Sequence, residues 1–427
     1  MIRRLFLCAA MACAAMPLQA VKFEVKTDRP DAFYRCGEKV TFSITAAEEG
    51  KAVTAGKYPY TIQQGRNVLE KGEIDLGQAP VTVSGTLETP GFLLCTVGEK
   101  KELAYGGAAF EPEKIKPALD REAPDFDAFW AEGKRIQDAL PPIKIEKLDA
   151  YSNEQYTSSV LTIPTVDGKS IYAFWCKPNA PGPHPLLISV HGAGPGYIAP
   201  DTKYPAEGVI TLSICTHDYR PVIGDWAATK KLYEAAYKSY SGLRVNTDDP
   251  RKHVYYRTHL GARRAIEWAL SQDGVDRKHV VFTGGSQGGT YAIAMAALNP
   301  EITATAAMVP GFADQAGWLN GTGNSHLLAP SAEMPEKKEA MLNTAGYFDS
   351  IYFARRIKVP VLFSAGFIDR TCTPHSVYAA YNVITSPKEM INCPAAPHGI
   401  PADMAAARDR WLRNQLGLPP VPPSTAN

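Results

Sequence analysis

The sequence predicts an α/β architecture, a mostly parallel sheet flanked by helices, preceded by an immunoglobulin-like β-sandwich. Three observations predict it. Short aliphatic runs at 186–190, 209–214, 280–283, 303–309, 361–365 and 389–392 alternate with helical stretches, as in a parallel sheet. Short runs rich in β-branched and aromatic residues crowd 21–111, with turn formers between them, as in a sandwich. A G-x-S-x-G pattern at 284–288 joins an apolar run to an Ala-rich helical stretch at 291–298.

Composition permits such a fold. With 427 residues, 45% hydrophobic and 21% charged, the chain can bury a large core and divide into domain-sized pieces. Its 45 basic and 44 acidic residues nearly cancel, so no nucleic-acid partner is expected. Arg3 and Arg4 precede an apolar run over 5–16, then Pro17 and Ala20, which reads as a cleavable signal peptide over 1–20. Export to the periplasm or the medium follows. The run is shorter than the roughly 20 residues a spanning helix needs, and no later segment approaches that length, so no membrane span is expected. Cys13 lacks the large aliphatic residue three positions earlier that a lipid-attachment site uses. Beyond Cys8 and Cys13 the cysteines form no C-x-x-C pair, so no zinc or thiol-exchange site is expected; disulfides are permitted and none is demanded.

Within 21–111, Val40, Phe42 and Ile44 alternate with polar residues, the period of a strand with one buried face. Further strands are expected at 58–63, 80–86 and 91–97. This region serves as a spacer or as a sugar-binding module, since a fold alone does not give a function. Pro112 and Pro117 among charged residues mark 112–124 as an exposed linker. Phe126, Phe129, Trp130 and Ile136 recur at helical spacing until Pro141 and Pro142. Runs at 156–166 and 171–176 flank Asp167 and Gly168 as a hairpin. The larger domain covers 125–417, closes with a helix at 402–415 and is followed by a Pro-rich tail, 418–427. No internal repeat is visible.

Ser286 at the turn from strand to helix is the candidate nucleophile: glycines two positions either side remove side chains that would collide with a strained turn. The following helix N-terminus favours developing negative charge. A serine hydroxyl needs a base to take its proton. His398, in the loop after the last expected strand, is the candidate; His191, His253, His259, His279 and His375 fall in strands, helices or their starts. The orienting acid should lie between nucleophile and base in the chain. Asp369, just after the run at 361–365, meets that order; Asp314, after the preceding strand, is its rival. The small residues Gly192, Ala193, Gly194 and Gly196 let backbone N–H groups approach a ligand, so Ala193 and Gln287 are the candidate oxyanion donors. The glycine spacing there is not a dinucleotide fingerprint. The segment 311–348 is long enough to cap the site, with Trp318 and His326 able to touch substrate, whereas Trp226 and Tyr219 are better read as packing.

Over 125–416 the chain resembles the acetyl xylan esterase and cephalosporin-C deacetylase family of α/β-hydrolases. The resemblance rests on D-F-D-A-F-W from Asp125, H-P-L-L-I-S-V-H-G from His184, Tyr255-Tyr256-Arg257, G-G-S-Q-G-G from Gly284, and the segment from Asp369 to His375. It implies an α/β-hydrolase fold and a triad of Ser286, Asp369 and His398, with oxyanion donors at Ala193 and Gln287. It also implies removal of acetyl or other small acyl groups from sugars or related alcohols, without metal or organic cofactor. Small-molecule or polysaccharide esters are then the partners, and a homo-oligomer is compatible with it. The chain departs from the family in carrying Thr216-His217-Asp218-Tyr219-Arg220 in place of an Arg-Gly-Gln tripeptide, Gly399 where an acidic residue follows the histidine, and Ala193 where an aromatic residue is usual. Two other readings compete: a serine exopeptidase of the same fold, and a catalytically silent carbohydrate-binding protein.

Overall fold

The computed structural model describes residues 21–420 apart from 79, 100, 101 and 241–243, and says nothing of the side chains of 237–240. The expected signal peptide and most of the Pro-rich tail lie outside the described residues.

The N-terminal strands are β1 (Lys22–Thr27), β2 (Phe33–Tyr34), β3 (Val40–Glu48), β4 (Lys51–Ala52), β5 (Lys57–Gln64), β6 (Asn67–Asp75), β7 (Thr82–Gly85), β8 (Gly91–Val97) and β9 (Ala104–Phe110). They form a 4-stranded sheet, β1-β3-β4 with β7 also on β3, and a 5-stranded sheet in the order β2-β9-β8-β5-β6. The alternation expected in β3 buries Val40, Phe42 and Ile44, which share a core with Leu93, Cys95 and Val97 of β8. Each sheet thus hides its apolar face against the other.

The third sheet has nine strands: β10 (Lys144–Lys147), β11 (Tyr156–Pro164), β12 (Ser170–Pro178), β13 (His184–Val190), β14 (Ile210–Cys215), β15 (Val275–Gly285), β16 (Ala304–Met308), β17 (Val361–Gly366) and β18 (Lys388–Cys393). Their order is β10-β11-β12-β14-β13-β15-β16-β17-β18. β10, β11, β12 and β14 pair antiparallel, and every pairing from β14 across β13 to β18 is parallel. The hairpin expected around Asp167 and Gly168 is β11–β12. Buried Arg257 donates to Asp167 at 3.2 Å and ties its turn to a helix.

The helices are α1 (Phe126–Asp138), α2 (Lys203–Ala206), α3 (Trp226–Tyr240), α4 (Val254–Leu270), α5 (Gln287–Leu298), α6 (Gly317–Asn320), α7 (Lys338–Phe348), α8 (Ser350–Ala354), α9 (Pro374–Asn382) and α10 (Ala402–Gln415). One face of the sheet packs on α1, α4, α5, α8 and α9 through a large core around Trp130, Tyr255, Tyr291 and Phe353. The other face packs on α2 and α10 through Tyr204, Met404, Trp411 and Leu412. Among the described residues no helix is long and apolar enough to cross a membrane.

The segment expected as an exposed linker, 112–124, is exposed over much of its length and anchored at a few points. Ile115 and Ala123 are buried in the large core. The Asn382 amide donates to the carbonyls of Pro112 and Ile115, and the Arg121 N–H donates to the Tyr352 hydroxyl at 2.8 Å. α8 and α9 thus supply hydrogen-bond partners that a solvated linker would take from water. The N-terminal sheets are also tied to the larger unit: Phe367 sits edge-on to Phe33 and Phe92, with ring centres 5.4 and 5.1 Å away.

Candidate active site

β13 and β15 are neighbours, with Val190 opposite Gly284. The chain leaves β13 toward β14 on one side and returns to β15 on the other, so the loops after the two strands diverge and leave a crevice at the carboxyl edge. Ser286 stands there, between β15 and α5, with φ 55° and ψ −117°. The turn is tight enough that a Cβ at Gly284 would lie 2.3 Å from Gly288 O, and one at Gly288 would lie 2.2 Å from Val190 O. Only glycine fits both places. The Ser286 N–H donates to Met308 O at 2.9 Å and its carbonyl accepts from the Gly311 N–H, which fixes the strained residue between two strand ends.

Three side chains meet at this turn. His398 Nε2 is 3.0 Å from Ser286 Oγ, and His398 Nδ1 is 2.8 Å from Asp369 Oδ2. Asp369 is 3% exposed, and its other oxygen accepts from the N–H groups of Thr371 and Cys372 at 2.7 and 2.9 Å. Its carboxylate is therefore fixed before it meets the imidazole. The Asp369 bond raises the His398 pKa above its ordinary 6.5, against the opposing effect of partial burial. With Nδ1–H held by the carboxylate, Nε2 is left to accept from the serine hydroxyl. Asp314 goes elsewhere: it is 1% exposed, and Oδ1 accepts from the Ala118 N–H at 2.8 Å.

Ala193, Ser286 and Gln287 line one cavity of about 90 Å³, together with Tyr255, Phe312 and Cys372. Gln287 is the first residue of α5, so its N–H has no partner within the helix. A Cβ at Gly192 would lie 3.4 Å from Gly285 O, which shows how closely the loop after β13 approaches the serine turn. That loop is held by the segment that replaces the family tripeptide. His217 Nε2–H donates to Gly194 O at 2.6 Å, the Tyr219 hydroxyl donates to Pro195 O at 2.7 Å, and the Thr216 N–H donates to His191 Nε2 at 3.3 Å. Burial pushes His191 down to about 3, so it stays neutral and able to accept.

Of the residues expected in the cap, His326 lines the cavity and its ring lies parallel to Phe312, whereas Trp318 packs beside Leu328. Trp226 is 53% exposed at the start of α3, and Tyr219 is engaged as packing. Sequence reasoning missed Tyr255, Phe312 and Cys372 as walls of the cavity. Tyr255 lay inside a motif that carries the resemblance, the only signal that could have found it; Cys372 Sγ lies 4.0 Å from Ser286 Oγ, and burial pushes its thiol up to about 12. Among the described residues no three His, Cys, Asp or Glu side chains are grouped to hold a metal ion, and Cys36, Cys95, Cys176, Cys215, Cys372 and Cys393 are free.

Residues 113–414 match the family model described as Acetyl xylan esterase (AXE1). The chain is 30% identical over 374 residues to the acetyl esterase Axe7A of Xylanibacter ruminicola, covering 86% of this chain and 80% of that protein. Among solved structures, the acetyl xylan esterase from Paenibacillus sp. R4 superposes with TM-score 0.61 at 23% identity, covering 71% of this chain and 98% of the other. Acetyl xylan esterase 1 from Thermoanaerobacterium sp. JW/SL YS485 gives TM-score 0.59 at 22% identity, with the same coverage. These two likenesses show the fold. Sequence match and fold agree: the chain belongs to the acetyl xylan esterase family.

Proposed function

We propose that the chain is an exported serine ester hydrolase that removes acetyl or other small acyl groups from hydroxyls of carbohydrates or related alcohols. The observation that carries this reading is the line of hydrogen bonds from Ser286 through His398 to Asp369, beside a cavity too small for a long acyl chain. Ser286 Oγ attacks the ester carbonyl as His398 Nε2 takes its proton, and Asp369 holds the imidazole in the tautomer that can do so. The developing oxyanion is met by the backbone N–H groups of Ala193 and Gln287; losing one such donor typically costs about 3 to 4 kcal/mol. Collapse expels the alcohol, which receives the proton from His398. Water, deprotonated by the same imidazole, then cleaves the acyl-enzyme.

Family membership supports the ester substrate, and the sequence over 1–20 supports export. The two facing N-terminal sheets are read as an immunoglobulin-like sandwich over 21–111, ahead of a catalytic domain over 125–417. The test is release of acetate from acetylated xylan, acetylated sugars and aryl acetates, with a burst of the first product and its loss in Ser286→Ala. A folded chain that leaves every acetate untouched, or that cleaves short peptide amides instead, overturns the reading.

A further inference from the structure

A cleft of about 390 Å³ continues the catalytic cavity outward: Asn324 and Thr373 line both, and Asp369 lines the cleft. One wall comes from the cap and the loop after β17. The other is supplied by the N-terminal sheets, through Gln63, Gln64, Gly65 and Arg66 at the β5–β6 turn.

This turn is built against the cap. The Arg66 N–H donates to Gly321 O at 2.7 Å, and the Asn67 amide donates to Asn320 O at 2.7 Å. The Arg66 guanidinium lies 3.5 Å over the Trp318 ring and donates to the Trp318 carbonyl. Gly65 has φ +58° and a Cβ there would lie 2.2 Å from Gly321 O; Gly321 has φ +83° and a Cβ there would lie 2.4 Å from Asn67 Oδ1. Two left-handed glycines meeting face to face let the backbones approach as they do.

The lining carries two cations that are already engaged, Arg66 over the Trp318 ring and Arg370, which donates to the Tyr105 hydroxyl at 2.7 Å. It offers carboxamides from Gln63, Gln64 and Asn324, the Thr373 hydroxyl, and the apolar faces of Phe92 and Pro374. His375 adds a buried Nδ1 that has no protein partner among the described residues, and burial pushes its pKa down to about 4, so the ring is neutral. Asp369 is the one acidic residue in the lining and is already bonded to His398 and two backbone amides. Beside these held charges, neutral donors and acceptors set between apolar faces fit the hydroxyls and C–H faces of sugar rings.

We propose that the β5–β6 turn forms the outer wall of a binding site for the alcohol side of the substrate, a carbohydrate chain that extends beyond the acylated unit. The N-terminal sheets are then part of substrate selection. This rests on the esterase reading above, and the experiment separates the two.

The full chain carrying Ser286→Ala is titrated with xylohexaose, alone and with Gln64→Ala or Arg66→Ala added. Gln64→Ala leaves the Gly65–Gly321 and Arg66–Trp318 contacts in place, and thermal unfolding monitors both variants. Loss of one or two hydrogen bonds weakens binding about fivefold or more. In the chain with Ser286 intact, the same changes lower kcat/KM for acetylated xylo-oligosaccharide relative to 4-nitrophenyl acetate by a similar factor. No binding by the parent, equal binding by parent and variants, or an unchanged ratio overturns the site. Hydrolysis of small acetates without that discrimination overturns the site and leaves the esterase reading standing. Binding that the variants weaken, with no hydrolysis of any acetate, overturns the esterase reading and leaves the carbohydrate site standing.

Discussion

His398 Nε2 lies 3.0 Å from Ser286 Oγ although 112 positions of sequence separate the two residues. The contact spans the carboxyl edge of the sheet: Ser286 follows β15, and His398 follows β18 three strands away in the sheet order. The loop from Pro394 to His398 must therefore reach back across the ends of β17 and β16. A Cβ at Gly366, the last residue of β17, would lie 2.4 Å from Ala396 O, so the loop crosses directly over that glycine.

Replacing Ser286 with alanine removes the proposed nucleophile and should leave the fold. Turnover of 4-nitrophenyl acetate is expected to fall by roughly 10⁴ to 10⁶. An unchanged unfolding midpoint checks that the loss is chemical, and retained turnover would remove Ser286 from the mechanism.

In the proposed mechanism His398 must be neutral to take a proton, and Asp369 stabilises its charged form. The acidic limb of kcat/KM is therefore expected to have its midpoint above 6.5, with activity present above that midpoint and lost as pH falls through it. The raised pKa also means that the His398–Asp369 pair contributes stability below about pH 6.5, and that this is lost as pH rises through the folded-state value. Asp369→Asn should move the midpoint downward and lower kcat by roughly 10⁴. A pH profile that Asp369→Asn leaves in place would exclude the carboxylate as the group tuning the base.

Gly288→Ala should damage both fold and activity. Its new methyl group would lie 2.2 Å from Val190 O, a backbone atom that cannot swing aside as a side chain can. Overpacking of this kind costs about 1 to 3 kcal/mol. Denaturant unfolding measures the first effect and 4-nitrophenyl acetate hydrolysis the second; a variant as stable as the parent would mean that β13 and α5 are not in contact there.

The cavity of about 90 Å³ behind Ser286 should make the chain selective for short acyl groups. From acetate to hexanoate esters of 4-nitrophenol, kcat/KM is expected to fall by roughly tenfold or more, the scale of discrimination a small pocket gives. A flat series would show that the cavity opens.

Asp314 and Asp349 are buried at the two ends of the segment 311–348, and burial pushes both upward, Asp314 to about 6. Asp314 Oδ2 has no partner among the described residues. For a raised carboxyl the folded state is favoured when the group is protonated, so its contribution declines as pH rises from about 4 through the folded-state value. Asp314→Asn should therefore stabilise the chain by roughly 1 to 3 kcal/mol at pH 8, with the gain shrinking toward pH 4. Urea unfolding at the two values checks it, and a destabilised variant at pH 8 would show that the ionised carboxylate is needed.

Much of the architecture was legible because it repeats locally. The alternation of Val40, Phe42 and Ile44 marks β3, and the last helix, Ala402–Gln415, stands where the sequence reading expects it. β10 was not legible: Lys144–Lys147 is exposed throughout and takes its place only because β11 offers an edge. The anchoring of the segment 112–124 was not legible for a related reason. Its prolines and charges mark it as exposed, but the partners of its backbone, Asn382 and Tyr352, lie more than two hundred residues away.

The sequence by itself determined the strand–turn–helix around Ser286, since Gly284 and Gly288 impose that turn locally, and it determined the order in which Ser286, Asp369 and His398 follow one another. Tertiary structure alone decided that Asp369 and not Asp314 meets His398, because β17 and β18 lie side by side while Asp314 turns inward to the Ala118 amide. It also decided that the β5–β6 turn closes one side of the cleft, a contact between Arg66 and Trp318 across 252 positions. Local patterns encode elements through short-range sterics and burial; which distant loops share a rim depends on sheet order and on the packing of one domain against another, and no period in the chain records either.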